Sequence, residues 1–394
     1  MGTRHLHGLK QLADSPFDAV ELSAVCDISA ENAEMAAAEA EKLLGVRPKV
    51  CTSMEAMVQQ VPNLEAVDVV TDPSVHHAVV CEALDLGLHV LVEKPLAITV
   101  RACQRILDAA ARNERIVSVA ENFRRDPSAR IVRHLLDTGA IGTPYMGMYH
   151  SLGAGNSIFI TPWRHRRELG GFILDMAVHF THMIRYQLGD FAEVYADGQK
   201  SASLSMDYEF YQKRFAAMPE RIPAAAEDTT QAIFKMESGA TLNWIVGIAG
   251  HAGAHRELIM GTDGSIDGFG VRGGRITLAR RDAEALSQEQ ILASAAGEGL
   301  TFDPLTRYLF PSGVSAGDPL VDLKLIAYEL HEMAEAIRGQ RTVEVDGRCG
   351  LKDVAALYAV FESWRAGGPV ALSAVESCQS YAYQAEIDAA LGID

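Results

Sequence analysis

Long uncharged apolar runs are missing from this chain. None approaches the roughly 18 residues that a membrane-spanning helix needs, and the opening MGTRHLHGLKQLADS holds no apolar leader core, so neither a membrane nor secretion is expected. Basic charge is scarce: 35 Lys and Arg stand against 52 Asp and Glu, a formal net charge of −17. A nucleic-acid partner needs a basic face, so none is expected. Cysteine is sparse and unpatterned. Cys26, Cys51, Cys81, Cys103, Cys349 and Cys378 form no C-x-x-C, which fits reduced thiols in a cytoplasmic protein and no metal site. There is no internal repeat and no low-complexity tract. What remains is an ordinary globular composition, 48% hydrophobic and 22% charged over 394 residues, too long for one small core and suited to two domains.

The first 122 residues read as alternating helix and strand. Helices are predicted over 4–14, Ala30–Leu44, Ser74–Leu86 and Val100–Asn113. Strands are predicted over Val20–Cys26, Leu64–Val70, His89–Val92 and Ile116–Ala120. Strands that are apolar on both faces with short connections predict an α/β fold: a Rossmann-type, doubly wound parallel sheet. The pattern changes after Asn122. A helix over Ser128–Leu136, a strand near Tyr145–Ser151 and a helix from Ile173 to Leu188 precede mostly strands over 194–276, then loops over 282–320. Helices return at Leu323–Ile337 and Gly350–Trp364. Residues 123–394 are therefore predicted to form a second, α+β domain with an open, mostly antiparallel sheet.

A dinucleotide-binding domain opens with a strand and a G-x-G-x-x-G turn into a helix, whose N-terminus takes the pyrophosphate. Here the chain begins at the helix, with Gly2 where the third glycine falls; the first strand and first two glycines are expected upstream of Met1. Either the start is misassigned or the truncation is real, and the truncated form is expected to bind NAD weakly. Asp27 follows a strand end roughly 20 residues past the turn, where a carboxylate binds the adenosine ribose and repels a 2′-phosphate, favouring NAD over NADP. A turn or cap role for Asp27 is the alternative, although Ser29 serves equally as the helix cap.

Thr71-Asp72-Pro73-Ser74-Val75-His76-His77, Glu93-Lys94-Pro95-Leu96-Ala97, Glu121-Asn122-Phe123-Arg124-Arg125, Trp163-Arg164 and Asp175-x-x-x-His179 follow in order. With these motifs the chain resembles the Gfo/Idh/MocA oxidoreductases, the family of glucose–fructose oxidoreductase and inositol dehydrogenase. The resemblance runs over nearly the whole length. It departs in three places: the missing G-x-G, an extra residue in Thr71-Asp72-Pro73, and His182 where an Asp is common.

The resemblance implies an NAD(P)-dependent oxidoreductase acting on a CH–OH group of a sugar, glycoside or polyol, assembled as a homodimer or homotetramer. It implies that Lys94 bonds the reacting hydroxyl, that His179 takes its proton and that Asp175 supports His179. It places Gly2, His5, Asp27, Thr71, Pro73, His77, Glu93, Lys94, Asn122, Trp163 and Arg164 around the cofactor, and Lys94, Arg124, His179 and His182 around the substrate. Helical spacing agrees: at about 100° per residue, 175, 179, 182 and 186 share one face, opposite an apolar one. Other readings stay open. His77 is equally a structural helix-start residue, Asn122 and Arg124 equally link the domains, and the extra arginines after Trp163-Arg164 are read first as solvated surface charge, with an anionic substrate group or subunit carboxylates as the alternative. Redox-assisted glycoside cleavage and a non-catalytic sugar or nucleotide sensor are the alternative functions. A metal-dependent isomerase through Asp175, His179 and His182 is disfavoured for want of ligands.

Overall fold

Short, well-capped elements build the first part of the molecule. In the computed structural model, which describes residues 1–153, 157–196, 208–210, 218–248, 253–295 and 299–393, the chain runs α1 (Gly2–Ala13), β1 (Ala24–Cys26), α2 (Ala30–Leu44), β2 (Lys49–Cys51), α3 (Met54–Gln60), β3 (Ala66–Val69), α4 (His76–Asp85), β4 (His89–Glu93), α5 (Val100–Asn113) and β5 (Val117–Ala120). Ser29 accepts from the Asn32 amide at 3.4 Å and Thr99 from the Ala102 amide at 3.1 Å. Each satisfies a donor that the first helical turn leaves without a partner. The strands pair in parallel, β1 with β2 and β3–β4–β5 together. Among the described residues these are two pieces of sheet, not one. The sequence reading omitted β2 and α3, whose 3 and 7 residues are too short to display a period. It also began β1 at Val20, before the ladder starts at Ala24.

The second part follows as α6 (Pro127–Asp137), β6 (Pro144–Leu152), α7 (Gly171–Leu188), β7 (Phe191–Ala196), β8 (Tyr208–Phe210), β9 (Ile222–Ala224), β10 (Thr229–Met236), β11 (Thr241–Gly247), β12 (Ala254–Gly261), β13 (Gly264–Asp267), β14 (Thr277–Arg280), β15 (Leu286–Ser287), α8 (Gln288–Ala295), α9 (Pro304–Leu309), α10 (Val321–Ile337), α11 (Gly347–Ala366), β16 (Val370–Ala371), α12 (Leu372–Glu376) and α13 (Ala385–Leu391). Nine strands form one sheet in the order β15-β14-β13-β12-β6-β11-β10-β7-β16. All neighbours are antiparallel except β6 and β11. In β10, Thr230, Ala232, Phe234 and Met236 turn inward while Ile233 and Lys235 turn out, the period-two pattern of a half-covered sheet. Helices α7 and α11 pack on the inner face.

Of the strands predicted over 194–276, positions 197–207, 211–217 and 249–252 lie outside the described residues. The segment 282–320, read as loops, carries β15, α8 and α9. For α9 the signal was present: Asp303 accepts from the Thr306 amide at 3.0 Å and Pro304 opens the helix.

Two features place the site. Gly170 and Gly171 both take positive φ, +96° and +72°, and a Cβ on Gly171 would stand 2.7 Å from the Cβ of Ala226, so this pair fixes where α7 begins. Helix α10 returns to the first part of the chain, packing on α1, β4 and β5. There Leu325, Ile326, Leu305 and Leu309 share one apolar cluster with Leu9, Leu12 and Leu91. The boundary near Asn122 is therefore crossed by α9 and α10. No helix among the described residues is long and apolar enough to cross a membrane.

Candidate active site

Strand β4 delivers Lys94 to helix α7. The Lys94 ammonium donates to the backbone carbonyl of Asp175 at 2.7 Å and to its carboxylate at 3.1 Å. The other carboxylate oxygen accepts from Arg164 Nε at 2.5 Å, and the Arg164 guanidinium lies 4.3 Å over the Trp163 ring. Burial alone would raise the Asp175 carboxyl, but Lys94 and Arg164 outweigh it and hold it below the ordinary range. Asp175 is thus an ionised, two-cation clamp that aims Lys94.

One helical turn on, His179 Nδ1 faces both oxygens of Glu121 at 2.8 Å each. Its ring stacks on Phe123, with centroids 4.2 Å apart and planes 4° apart. Glu121 and Phe123 come from the turn after β5, so two strand ends and one helix meet here, at the carboxyl edge where open α/β sheets bind ligands. Nε2 of His179 has no partner among the described residues. Burial, with Lys94 and Arg272 adding to it, pushes the imidazole well below its ordinary value. It is therefore neutral and able to accept a proton. Burial also pushes Glu121 up to about 7.

Behind Lys94, the Glu93 carboxylate accepts from the Lys94 amide at 2.9 Å and meets His5 Nε2 at 3.2 Å, while His5 Nδ1 meets Asp68 at 2.7 Å. Burial opposes charge on His5, but Asp68 and Glu93 together raise it well above its ordinary value. Burial likewise opposes charge on Glu93, yet His5 and Lys94 bring it down to about 2. An imidazolium–carboxylate pair thus braces the loop that carries the lysine.

Several expectations need correction. Asp175 pairs with Lys94 and Arg164; the carboxylate that holds His179 is Glu121. His182 lies one turn deeper, its Nδ1 2.8 Å from Asp353 on α11, and does not bond Lys94, Asp175 or His179. Position 182 shares the face of Asp175 but sits seven residues along the helix, roughly 10 Å, where different neighbours meet it. His77 faces Arg105 and Asp388 instead of the Glu-Lys-Pro loop. The histidine that reaches this loop is His76, fully buried between the carbonyls of Pro95 at 2.9 Å and Thr71 at 3.3 Å. A single turn of 3-10 helix over Pro73–Val75 precedes α4, so the α-helix starts at His76, not at Ser74. Arg124 pairs with Glu344 at 3.3 Å and lies 4.3 Å over the Tyr186 ring, a link to the later part of the chain. Asn122 donates to Asp322 on α10 at 2.9 Å; Arg4 and Arg272 pair with the same carboxylate.

Gly2 opens α1, Thr71 is exposed and Pro73 is buried at the start of the 3-10 turn. Asp27 accepts from the Ser29 amide at 2.8 Å and the Asn32 side chain at 3.4 Å, both on one oxygen. In the run after Trp163, Arg166 is solvated surface charge, paired with the half-exposed Glu168, whereas Arg167 pairs with the buried Glu227 at 3.2 Å. The isomerase reading fares badly, because Asp175 is taken by two cations. His182, Cys349 and Asp353 do converge. However, the Arg185 guanidinium binds Asp353 and lies 3.8 Å from Cys349 Sγ, occupying the place a cation would need.

The arrangement suits removal of a proton and stabilisation of a nearby oxyanion: a neutral imidazole and a clamped ammonium, both largely buried. A family model described as the Gfo/Idh/MocA oxidoreductase family, NAD-binding Rossmann fold, matches residues 1–121, and one described as the Gfo/Idh/MocA C-terminal domain matches residues 129–267. Levoglucosan dehydrogenase of Pseudarthrobacter phenanthrenivorans is 30% identical over 173 residues, 43% of this chain and 44% of that protein. Myo-inositol 2-dehydrogenase of Thermotoga maritima is 26% identical over 275 residues, 69% of this chain and 71% of that protein. The match thus spans under half the length of the first relative. The solved structure of levoglucosan dehydrogenase in complex with NADH and levoglucosan has a TM-score of 0.71 at 22% identity, covering 94% of this chain and 96% of that one, a likeness of fold.

Proposed function

The chain belongs to the Gfo/Idh/MocA oxidoreductase family, and on that premise we propose that it transfers a hydride between NAD and a ring hydroxyl or keto carbon of a sugar, glycoside or polyol. One observation carries the reading: Lys94 is clamped to Asp175 one helical turn from His179, whose Nε2 is open.

The residues present fit a nicotinamide dinucleotide. No side chain caps α1, which leaves its leading amides for a phosphate. The bonds Asp27 makes in its own turn use Oδ1 only, which leaves Oδ2 for ribose hydroxyls and sets a negative charge against a 2′-phosphate. Asn122 Oδ1 is buried without a partner, an acceptor still to be used. When bound, the oxidised nicotinamide accepts the hydride.

The chain supplies the rest. Lys94 donates to the substrate oxygen and stabilises the charge that grows there. His179 Nε2 takes the hydroxyl proton. Asp175 keeps the ammonium aimed, and Phe123 with the buried strand ends excludes water.

The test is reduction of NAD across a panel of inositols, anhydrosugars and pentoses. Turnover on one class, lost in Lys94→Ala, supports the reading. No turnover on any class, together with no dinucleotide binding by calorimetry, sinks it. Release of an aglycone without accumulation of reduced nicotinamide assigns the same residues to an oxidation–elimination–reduction cycle. For assembly, we place self-association on the outer face of the nine-stranded sheet, where the cross-strand neighbours Ile233 and Tyr195 are 50% and 46% exposed. Sedimentation of the full chain tests it.

A further inference from the structure

One carboxylate collects more positive charge than it can neutralise. Arg4, in the first turn of α1, and Arg272, in the loop after β13, both bond Asp322 on α10, Arg4 at Oδ2 and Arg272 at Oδ1. Asn122 donates to Oδ1 as well, at 2.9 Å. Neither guanidinium has another hydrogen-bond partner among the described residues. Two cations thus share one anion, and both reach solvent. The Arg4 side chain is 52% exposed and that of Arg272 36%, against 10% for Asp322.

The local structure holds this charge in place. Helix α1 has no acidic residue in its first turn and no side-chain cap. Its positive end therefore meets a positive side chain, the reverse of the usual pairing. Arg272 is presented by a tight turn: the Gly274 amide donates to the Val271 carbonyl at 2.7 Å, and Gly273 takes φ +66°. The Gly273 amide donates to Asp126 at 2.9 Å and pins that turn. The Arg272 guanidinium lies 5.1 Å from the centre of the Phe123 ring, which stacks on His179 at 4.2 Å between centroids. A single aromatic ring thus bridges Arg272 and the imidazole.

The groups facing Arg272 do not cancel its charge. Burial and then Arg4 make the charge harder to hold, while Glu121, Asp126 and Glu93 ease it from inside the fold. Each of those carboxylates is already engaged: Glu121 with His179, Asp126 with the amides of Ser128 and Gly273, and Glu93 with His5 and the Lys94 amide. In a chain of net charge −17, a solvent-reaching cationic pair is unlike its surroundings and attracts an anion locally.

We propose that Arg4 and Arg272 form an anion subsite joining the two parts of the chain, which takes a phosphate or carboxylate of a molecule bound beside His179. Guanidinium groups suit both, because their N–H donors match paired oxygens. Two sources offer that chemistry. One is the pyrophosphate of the dinucleotide, shared with the open amides of α1. The other is an acid group on the sugar, as in a uronate. The inference rests on the dehydrogenase reading above and deepens it, since Arg272 makes the second part of the chain a binding partner for that anion.

The test is calorimetric titration of the full chain, Arg4→Gln and Arg272→Gln with three probes: reduced NAD, inorganic pyrophosphate and glucuronate. Where the dinucleotide supplies the anion, the wild type binds reduced NAD and pyrophosphate about tenfold more tightly than either variant. Where the sugar supplies it, a difference of about tenfold shows with glucuronate, and the affinity for reduced NAD stays within about twofold. Either result supports the subsite when the advantage of the wild type shrinks from low to high salt, as an ionic contact must and a fold defect need not. Wild-type affinity for all three probes in either variant, a difference that salt leaves unchanged, or a wild type that binds none of them overturns it. Turnover plays no part in these readings. A chain that binds pyrophosphate through both arginines yet oxidises no sugar keeps the subsite and loses the proposed function.

Discussion

Lys94 and Asp175 are joined twice, through the carboxylate at 3.1 Å and through the backbone carbonyl of the same residue at 2.7 Å. The ammonium is thereby tied to the helix that carries His179, and any shift of α7 moves both groups together.

Asp175→Asn preserves shape and removes the anion between Lys94 and Arg164. We expect kcat to fall by about 10²-fold with little change in KM for the dinucleotide. Steady-state kinetics on the best substrate checks this. Folding stability should also fall, by about 3 kcal/mol, because two buried cations lose their common partner. An unchanged kcat would show that Lys94 is aimed by other groups.

Phe123→Leu keeps apolar volume and deletes the stack on His179. The ring contact is worth about 1 kcal/mol, so a several-fold loss of kcat is expected, with a modest drop in melting temperature. Equal kcat in the two proteins would mean that Glu121 alone holds the imidazole.

Much of this candidate site was legible through the resemblance, which singled out Lys94, Asp175 and His179. Spacing adds only that Asp175 and His179, at i and i+4, share one helical face and that Lys94 ends an apolar strand. Glu121 as the partner of His179 was not legible. Their contact spans 58 residues, and either Glu121 or Asp175 suits an imidazole by chemistry alone; the choice is made by Lys94 and Arg164, which claim Asp175 first. His76 was missed because the 3-10 turn after Asp72 moves the helix start. The alternation of helix and strand showed the first domain plainly, whereas the return of α10 onto α1 leaves no local mark, since its apolar face suits any covering surface.

Glu329 on α10 is buried and, despite Arg125 and His5, is pushed up to about 8 by burial, with Glu93 and Glu121 adding to it. An unfolded glutamate titrates near 4.5. A folded-state value above the unfolded one means stability that is complete below 4.5 and is lost as pH rises through about 8. Glu329→Gln should therefore melt higher than the wild type at alkaline pH by on the order of 2 kcal/mol, with the difference shrinking towards pH 5. Scanning calorimetry from neutral to alkaline pH reads it; parallel curves for the two proteins would contradict it.

Glu344 shows the opposite sign. Burial opposes its ionisation, but Arg130, whose Nη2 donates to both oxygens at 2.7 Å, together with Arg125 and Arg124 brings it down to about 2. Its contribution is present above the unfolded value of 4.5 and disappears as pH falls towards 2. Glu344→Gln should cost about 3 kcal/mol at neutral pH. It should cost little near the acid limit, a convergence that urea titrations at several pH values would reveal or deny.

The journey of α10 back to α1 sets the order in which the molecule can be finished during synthesis. Leu9, Leu12 and Leu91 leave the ribosome more than two hundred residues before Leu325 and Ile326 arrive to cover them. Until then the nascent N-terminal half carries a bare oily stripe, so the growing chain needs a chaperone's shelter or must fold almost as a whole.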